Sequence, residues 1–467
     1  MRSSHRAGAV SVIFDDPDLV SQAGLVPVMR LAERAGLADL ADERLTLGGT
    51  KGSNTGAKVA SIVAGMAAGA DSINDLDVLR HGGLPALFGG IRAPSTLGTF
   101  LRHFTIGHIA QLEKTAGQVL ARLGELAPGL LPVPETNGRP VFLDLDSKIS
   151  QVFGRDKEGA AFGYTRVRGL NFLAATLSGG RDRSAPVLTG TRLRGGNADT
   201  RRGAASFLRQ NLTTVAQALG TEQKLWVRMD SGFYVGKVIK TVTAAGHWFS
   251  VTAPQRQPIR AAIAAIPETA WTTIAYDQPV HDGKTGERIR TAEIAVTRYT
   301  AFKNPTTQRG QRITADLVVR RTPAHTPSDQ PGLFTAWRYQ AIFTNYPAGP
   351  ATIEAHHRAR AGAIEAVFAD LSDAALAHLP SGRFAANAAW LTLAALTHNL
   401  LRAAGHLTST FHAKARTGTL RRHLIHIAAR ITHPTPSEIV LHLAQHWPWA
   451  DAFTSLFTST HAPPPAA

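Results

Sequence analysis

Three acidic residues in this chain stand where divalent cations could use them. Asp146 follows the apolar run Val141, Phe142 and Leu143 near the end of an expected strand, and Asp230 likewise ends the strand LWVRM. Acids at the carboxyl ends of buried strands are where open α/β sheets place their sites. If the two strands are neighbours, their carboxylates come within a few ångströms, which is unfavourable for two anions without a cation between them. Mg²⁺ takes oxygen ligands and needs only a few carboxylates beside a substrate phosphate. Two such ions about 3.5–4 Å apart activate the attacking oxygen and stabilise the leaving one in phosphodiester cleavage. A third acid is then wanted, and Glu365, on a helix far along the chain, is the candidate. Any one of the three alone is more often a turn, a helix cap or a solvated helix position; the combination carries the weight.

The elements that must position these acids can be read from the pattern. Residues 136–268 give the order β-β-β-α-β-α-β: strands in VFLDLDSKISQVFG, FLAATLS and PVLTGTRLR, a helix over Arg202 to Leu219, the strand ending in Asp230, then helix and strand again. Sheet with helices packed on it is the expected α/β class. Residues 269–348 are strand-rich (AWTTIAY, TAEIAVTRYTAF, ADLVVRRT, WRYQAIFTN) and read as a β-rich insertion. Residues 349–405 return to helix and carry Glu365. Residues 1–135 read as a helical region for DNA binding or dimerisation, closed by a Pro-rich linker, and 406–467 as a helical C-terminal region with a disordered tail, HAPPPAA.

Composition narrows the partners. The chain has 467 residues with 50 Lys and Arg against 34 Asp and Glu, a formal net charge of +16. A surplus of that size in a folded chain calls for a polyanion, since each phosphate neutralised releases counterions. There is no cysteine, so disulfides, thiol nucleophiles and thiolate metal sites are excluded. No apolar run has membrane-spanning length and the N-terminus lacks a signal-peptide core, so a soluble, cytoplasmic, nucleoid-associated protein is expected. The 19 histidines include no H-E-x-x-H pair, and GGTKGS at 48–53 breaks the P-loop spacing.

Several longer motifs carry a family resemblance: LDLDSK at 143–148, VFGRDKEGAAFGYTRVRG at 152–169, LRGGNADTRRGAASF at 193–207, VRMDSGFY at 227–234 and the segment 364–405. In these the chain resembles bacterial insertion-sequence transposases of the DDE type. The similarity is greatest to the insertion-sequence group numbered thirteen-eighty, within the wider group-four-like DDE transposases. It runs from about residue 10 to about residue 450. The resemblance implies a ribonuclease-H-like catalytic core with a β-rich insertion between the second and third acids. It implies Asp146, Asp230 and Glu365 as catalytic, metal-holding carboxylates for two Mg²⁺ ions, with Mn²⁺ substituting. Asp144, on the same strand face by alternation, is the alternative for the first position or a supporting acid. The expected partners are double-stranded DNA, both terminal inverted repeats and target, and a second copy of the chain on DNA.

One signature of related transposases, Tyr-x-x-Arg-x-x-x-Glu-x₆-Lys, is shifted here. His357 and Arg360 lie eight and five residues before Glu365, Arg358 lies seven before it, and the Lys position is Ser372. Candidate DNA contacts are Arg155, Lys157, Arg192, Arg194, Arg201, Arg202, Arg320, Arg321, Trp337, Arg358 and Arg360. Lys414, Arg416, Arg421 and Arg422 form another basic group near the C-terminus. The expected function is a transposase that cleaves and joins; the alternatives are a two-metal nuclease that only hydrolyses and a DNA-binding protein that has lost catalysis.

Overall fold

The computed structural model describes residues 10–48, 53–132, 140–154, 156–163, 165–179, 184–281, 288–303, 312–323 and 336–462. The helices are α1 (Leu25–Arg34), α2 (Leu37–Arg44), α3 (Thr55–Ala68), α4 (Leu84–Leu87), α5 (Pro94–Arg102), α6 (Ile106–Leu126), α7 (Ala204–Leu219), α8 (Gly236–Ala244), α9 (Gln257–Ala264), α10 (Pro350–Ser372), α11 (Phe384–Thr408), α12 (Thr410–Lys414), α13 (Thr417–Leu420) and α14 (Ala450–His461). The strands are β1 (Leu19–Val20), β2 (Val141–Gln151), β3 (Ala161–Phe162), β4 (Arg168–Gly179), β5 (Val187–Arg194), β6 (Leu225–Met229), β7 (Trp248–Ala253), β8 (Thr272–His281), β9 (Arg288–Ala301), β10 (Ile313–Pro323), β11 (Trp337–Thr344), β12 (Ala429–Thr435) and β13 (Glu438–Leu443).

Ten strands form one mixed sheet, in the order β3-β4-β2-β6-β7-β11-β10-β9-β8, with β5 paired to β4. The expected meander is present: β2 runs antiparallel to β4, and β4 to β5. The pairs β2–β6 and β6–β7 are parallel. Parallel neighbours need a crossover, which α7 and α8 supply in the order the sequence led us to expect. The strand-rich stretch is not a separate layer. Its last strand, β11, pairs antiparallel with β7 from Ala341↔Ala253 to Thr344↔Ser250, so β8–β11 extend the same sheet.

Alternation along β2 divides its residues between two environments. Leu143 and Leu145 join the main core. Phe142 joins a smaller apolar cluster with Trp226, Ile342 and Ile353, roofed by α10. Trp226 stacks flat on Tyr346 at 3.7 Å, and its indole N–H donates to Ser250 at 2.9 Å. The helix α10 crosses the sheet on this side: His356 meets the Phe142 ring, and Lys148 donates to the Phe368 carbonyl.

The N-terminal helices share the main core with α11, which is buried along nearly its whole length. Trp390 lies there, fully buried, its indole donating to the Ala375 carbonyl at 2.6 Å. Thr105 and His108 close a capping box at the start of α6, satisfying donors the helix cannot.

The C-terminal region departs from the helical expectation. It contains a hairpin, β12–β13, and β12 also pairs with β1 from the other end of the chain. Pro434 and Pro436 preclude a helix across the turn, and Ile431, Thr432, Ile439 and Val440 are β-branched residues suited to strands.

Candidate active site

Asp146 and Asp230 come together through strand register. The last registered rung of the parallel pair is Leu145↔Met229, so the two acids are next on their respective chains. Asp146 is not at a strand end: β2 runs on to Gln151 against β4. What ends there is its partner. After Met229 the chain turns away, and Asp230 caps a short 3-10 turn, Ser231–Phe233, by accepting from the Gly232 amide at 3.0 Å. Asp146 accepts from the Ser147 amide at 2.7 Å and from the Arg360 guanidinium at 2.9 Å.

Burial and then the neighbouring charge of Asp146 push the Asp230 carboxyl above its usual range, against the pull of Arg360. One guanidinium, hydrogen-bonded to Asp146, thus stands near two carboxylates in a partly dehydrated place. Hard oxygen donors held close with uncompensated negative charge suit a divalent cation, so the residues present fit the group the sequence implied. Both acids line a cleft of about 640 Å³, whose wall includes Asn197, Thr200, Arg201 and Arg256. Among the described residues no three His, Asp or Glu side chains are gathered into a ready metal cluster.

Gly196, in LRGGNADT, shows why this wall is built from small residues. A Cβ there would lie 2.0 Å from the Gly169 carbonyl and 2.4 Å from that of Ala161, so only glycine permits the approach. Arg194, nearly buried, holds the same loop: its guanidinium donates to Asn171 at 3.0 Å and to the carbonyls of Asp199, Thr200 and Arg202.

The third acid stands apart. Ile364 and Arg360 face inward on α10, while Glu365 is exposed and outside the cleft lining. Successive residues on a helix are turned by about 100°, so the one-residue shift in the signature is also a change of face. Asp144 is fully buried and held by Arg228 at 2.6 Å through both carboxylate oxygens. Arg228 lies opposite it in register, stacks over Phe142 at 3.7 Å and donates to the His356 carbonyl.

The other expected DNA contacts divide sharply. Arg155 lies outside the described residues. Lys157 donates to the Leu379 carbonyl. Arg192 donates to Ser206 and Gln210 on α7. Arg320 is buried against Glu354 at 3.1 Å, and Arg358 bonds the same carboxylate. Arg321 is paired with Glu268 and Glu293 and lies between the rings of Trp271 and Trp337 at 4.2 and 4.3 Å. Of this set Arg201 and Arg202 are exposed, Arg201 lining the cleft with an ion pair to Asp199.

Sequence reasoning missed Arg256, on the loop after β7, and the aromatics beyond it. The cleft continues past Arg201 and Arg256 into a second hollow of about 470 Å³ lined by Tyr234, Tyr299, Phe302 and Lys303. Only strand register reveals that these residues converge. Lys148 was also passed over. Its ammonium donates to Ser372 at 2.7 Å, placing a cation beside the position where the shifted signature lacks one.

His357, one residue before the Tyr position counted from Glu365, is buried between the hydroxyls of Ser250 at 2.8 Å and Thr252 at 3.0 Å. Burial, with Arg360 and Arg228 adding to it, pushes the imidazole down to about 3. A depressed histidine favours folding above its unfolded value near 6.5, and that contribution is lost as pH falls towards the folded value. The melting temperature is therefore expected to drop between pH 6.5 and 4 less steeply in His357→Gln than in the wild type, measured by calorimetry across that range.

Among the described residues no helix is long and apolar enough to cross a membrane. No curated protein matches the chain. The family model described as Transposase DDE domain group 1 matches residues 3–462, nearly the whole length, and the chain belongs to that family.

Proposed function

We propose that this protein cleaves DNA at the ends of an insertion sequence and transfers those ends into target DNA, on a ribonuclease-H-like core that uses Asp146 and Asp230 as its central carboxylates. The observation that carries this is the meeting of the two acids at the rung where β6 ends and β2 continues, with Asp230 raised by burial and by its neighbour. Asp146 and Asp230 would hold Mg²⁺ or Mn²⁺, which would supply Lewis acidity for attack on phosphorus by water and by a DNA 3′-hydroxyl. Arg360 fixes the plane of the Asp146 carboxylate from one oxygen, and the Gly232 amide does the same for Asp230. Both acids line the cleft.

Glu365 is proposed as the third acid, brought inward when DNA and metal bind. Glu365→Gln is expected to lower cleavage about 10²-fold or more with an unchanged melting temperature, an effect of the size a positioned acid–base or metal-holding group contributes. Wild-type cleavage by this variant sinks the assignment of Glu365 and leaves the Asp pair standing. The partners proposed are terminal inverted repeats, target duplex and a second copy of the chain, with the protein acting at the nucleoid.

The exposed cations of the cleft are proposed to hold DNA phosphates, Arg201 and Arg256 foremost. Arg256→Ala is expected to weaken binding about equally for all duplex sequences and to reduce the salt slope by about one. Fluorescence anisotropy over a salt series reads both quantities. Incubating a donor that carries both terminal repeats with target DNA separates the readings: joined product marks a transposase, and hydrolysis alone marks a nuclease.

A further inference from the structure

Of the C-terminal basic group, Arg421 is buried where α10, α11 and α13 meet, beside Arg402, while Lys414, Arg416 and Arg422 are exposed. Arg402 on α11 is 1% exposed, and one guanidinium nitrogen donates to the Ala415 carbonyl at 2.6 Å. Its Nε and other Nη have no hydrogen-bond partner among the described residues, and neither does the hydroxyl of Thr417, which is 2% exposed. Arg416 donates to Asp370 but keeps half its side chain in solvent. Arg421, buried, reaches the Asp373 carbonyl at 3.4 Å and its carboxylate at 3.9 Å. Asp370 also accepts from the Thr417 amide.

Three guanidinium groups thus face two carboxylates, one of which, Asp373, is 70% exposed. Burial, with Arg416 and Arg421 adding to it and Asp370 opposing, pushes Arg402 down to about 10. Unused N–H donors on a buried guanidinium are costly. Water can satisfy a donor but leaves the charge uncompensated, whereas an oxyanion answers both, and the planar fork of arginine matches its geometry.

We propose that Arg402, Arg416, Arg421 and Thr417 form a binding site for a phosphate-class oxyanion, with the half-exposed Arg416 at its outer edge. It lies at the far end of α10 from Glu354 and does not depend on the reading of the acid pair. The oxyanion could be free phosphate or a DNA backbone phosphate, and both have the same chemistry.

The test titrates inorganic phosphate into the full chain at constant ionic strength set with chloride, following thermal unfolding. A saturable rise in melting temperature is expected in the wild type. Arg416→Gln and Thr417→Val, one at the mouth and one nearly isosteric, are each expected to weaken the apparent affinity about tenfold, the size of one charge-assisted hydrogen bond. Arg402→Lys keeps the charge but loses the fork, and is expected to weaken it as well; should it fail to fold, the other two decide. No saturable shift in the wild type, or equal shifts in wild type and variants, overturns the proposal and leaves ordered water as the occupant. A second arm identifies the source. If phosphate competes with duplex binding and Arg416→Gln lowers the salt slope by about one, the ligand is a DNA phosphate. If phosphate binds without competing, it is the free anion.

Discussion

Asp230→Asn is expected to lower metal-dependent DNA cleavage by about 10³-fold or more while leaving duplex binding within about twofold. The first figure follows from the proposed role of Asp230 as a ligand to ions that would supply several kcal/mol of transition-state stabilisation. The second follows because phosphate contacts, not the acids, supply affinity for the duplex. The same substitution has an opposite effect on the metal-free fold. Asp230 is raised by burial first and by Asp146 second, so the metal-free protein is stabilised as pH falls through the raised value, where the carboxyl takes up its proton. Asparagine at this position is neutral at every pH. Without divalent metal at neutral pH, Asp230→Asn is therefore expected to melt above the wild type. Added Mg²⁺ should raise the wild-type melting temperature and leave the variant unmoved. Gel assays of cleavage and calorimetry with and without Mg²⁺ read these effects. Retained cleavage would remove Asp230 from the chemistry; a variant that melts lower and still responds to Mg²⁺ would remove it from the metal.

How legible each feature is in the sequence follows from what that feature depends on. The three-stranded meander and the two crossovers are local patterns, and periodicity with turn residues was enough for them. Asp146 was visible as an acid in an apolar strand, but its placement in mid-strand was not. That depends on where the neighbouring strand stops, and pairing register is not written in either strand alone. The basic residues were the least legible. Arg194, Arg320 and Arg321 look in sequence like surface cations, yet each is buried on partners distant in the chain: Asn171, Glu354, Glu268 and Glu293. Net charge says that a polyanion is wanted, not which arginines meet it. Arg256 and the aromatic hollow beyond it were invisible because they converge only through the successive pairing of β7, β11, β10 and β9. The hairpin β12–β13 was missed although Pro434 and Pro436 argued against a helix there. Its alternating run is short and mostly exposed, which blunts a pattern based on burial.

Asp144 and Asp146 are two residues apart on one strand face, and either could be taken for the first metal ligand. The structure separates them by partner. Asp146 has a fifth of its side chain exposed and shares a cleft with Asp230, whereas Asp144 has none exposed and both oxygens committed to Arg228. Removing one member of such a buried pair leaves a bare charge, at a cost of about 3–5 kcal/mol. Asp144→Ala and Arg228→Met are thus each expected to lower stability by about that much in denaturant titration. The double variant Asp144→Ala/Arg228→Met should cost much less than the two single changes added together, because the stranded charge is absent. Asp146→Asn should show the reverse profile, with melting close to that of the wild type and cleavage lost. If Asp144→Ala kept wild-type stability but lost Mg²⁺-dependent stabilisation, the roles of the two acids would be exchanged. The physical reason to expect otherwise is desolvation. A carboxylate at Asp144 is affordable only because Arg228 neutralises it in place, and a neutralised carboxylate deep in the sheet has little left to offer a cation in the cleft.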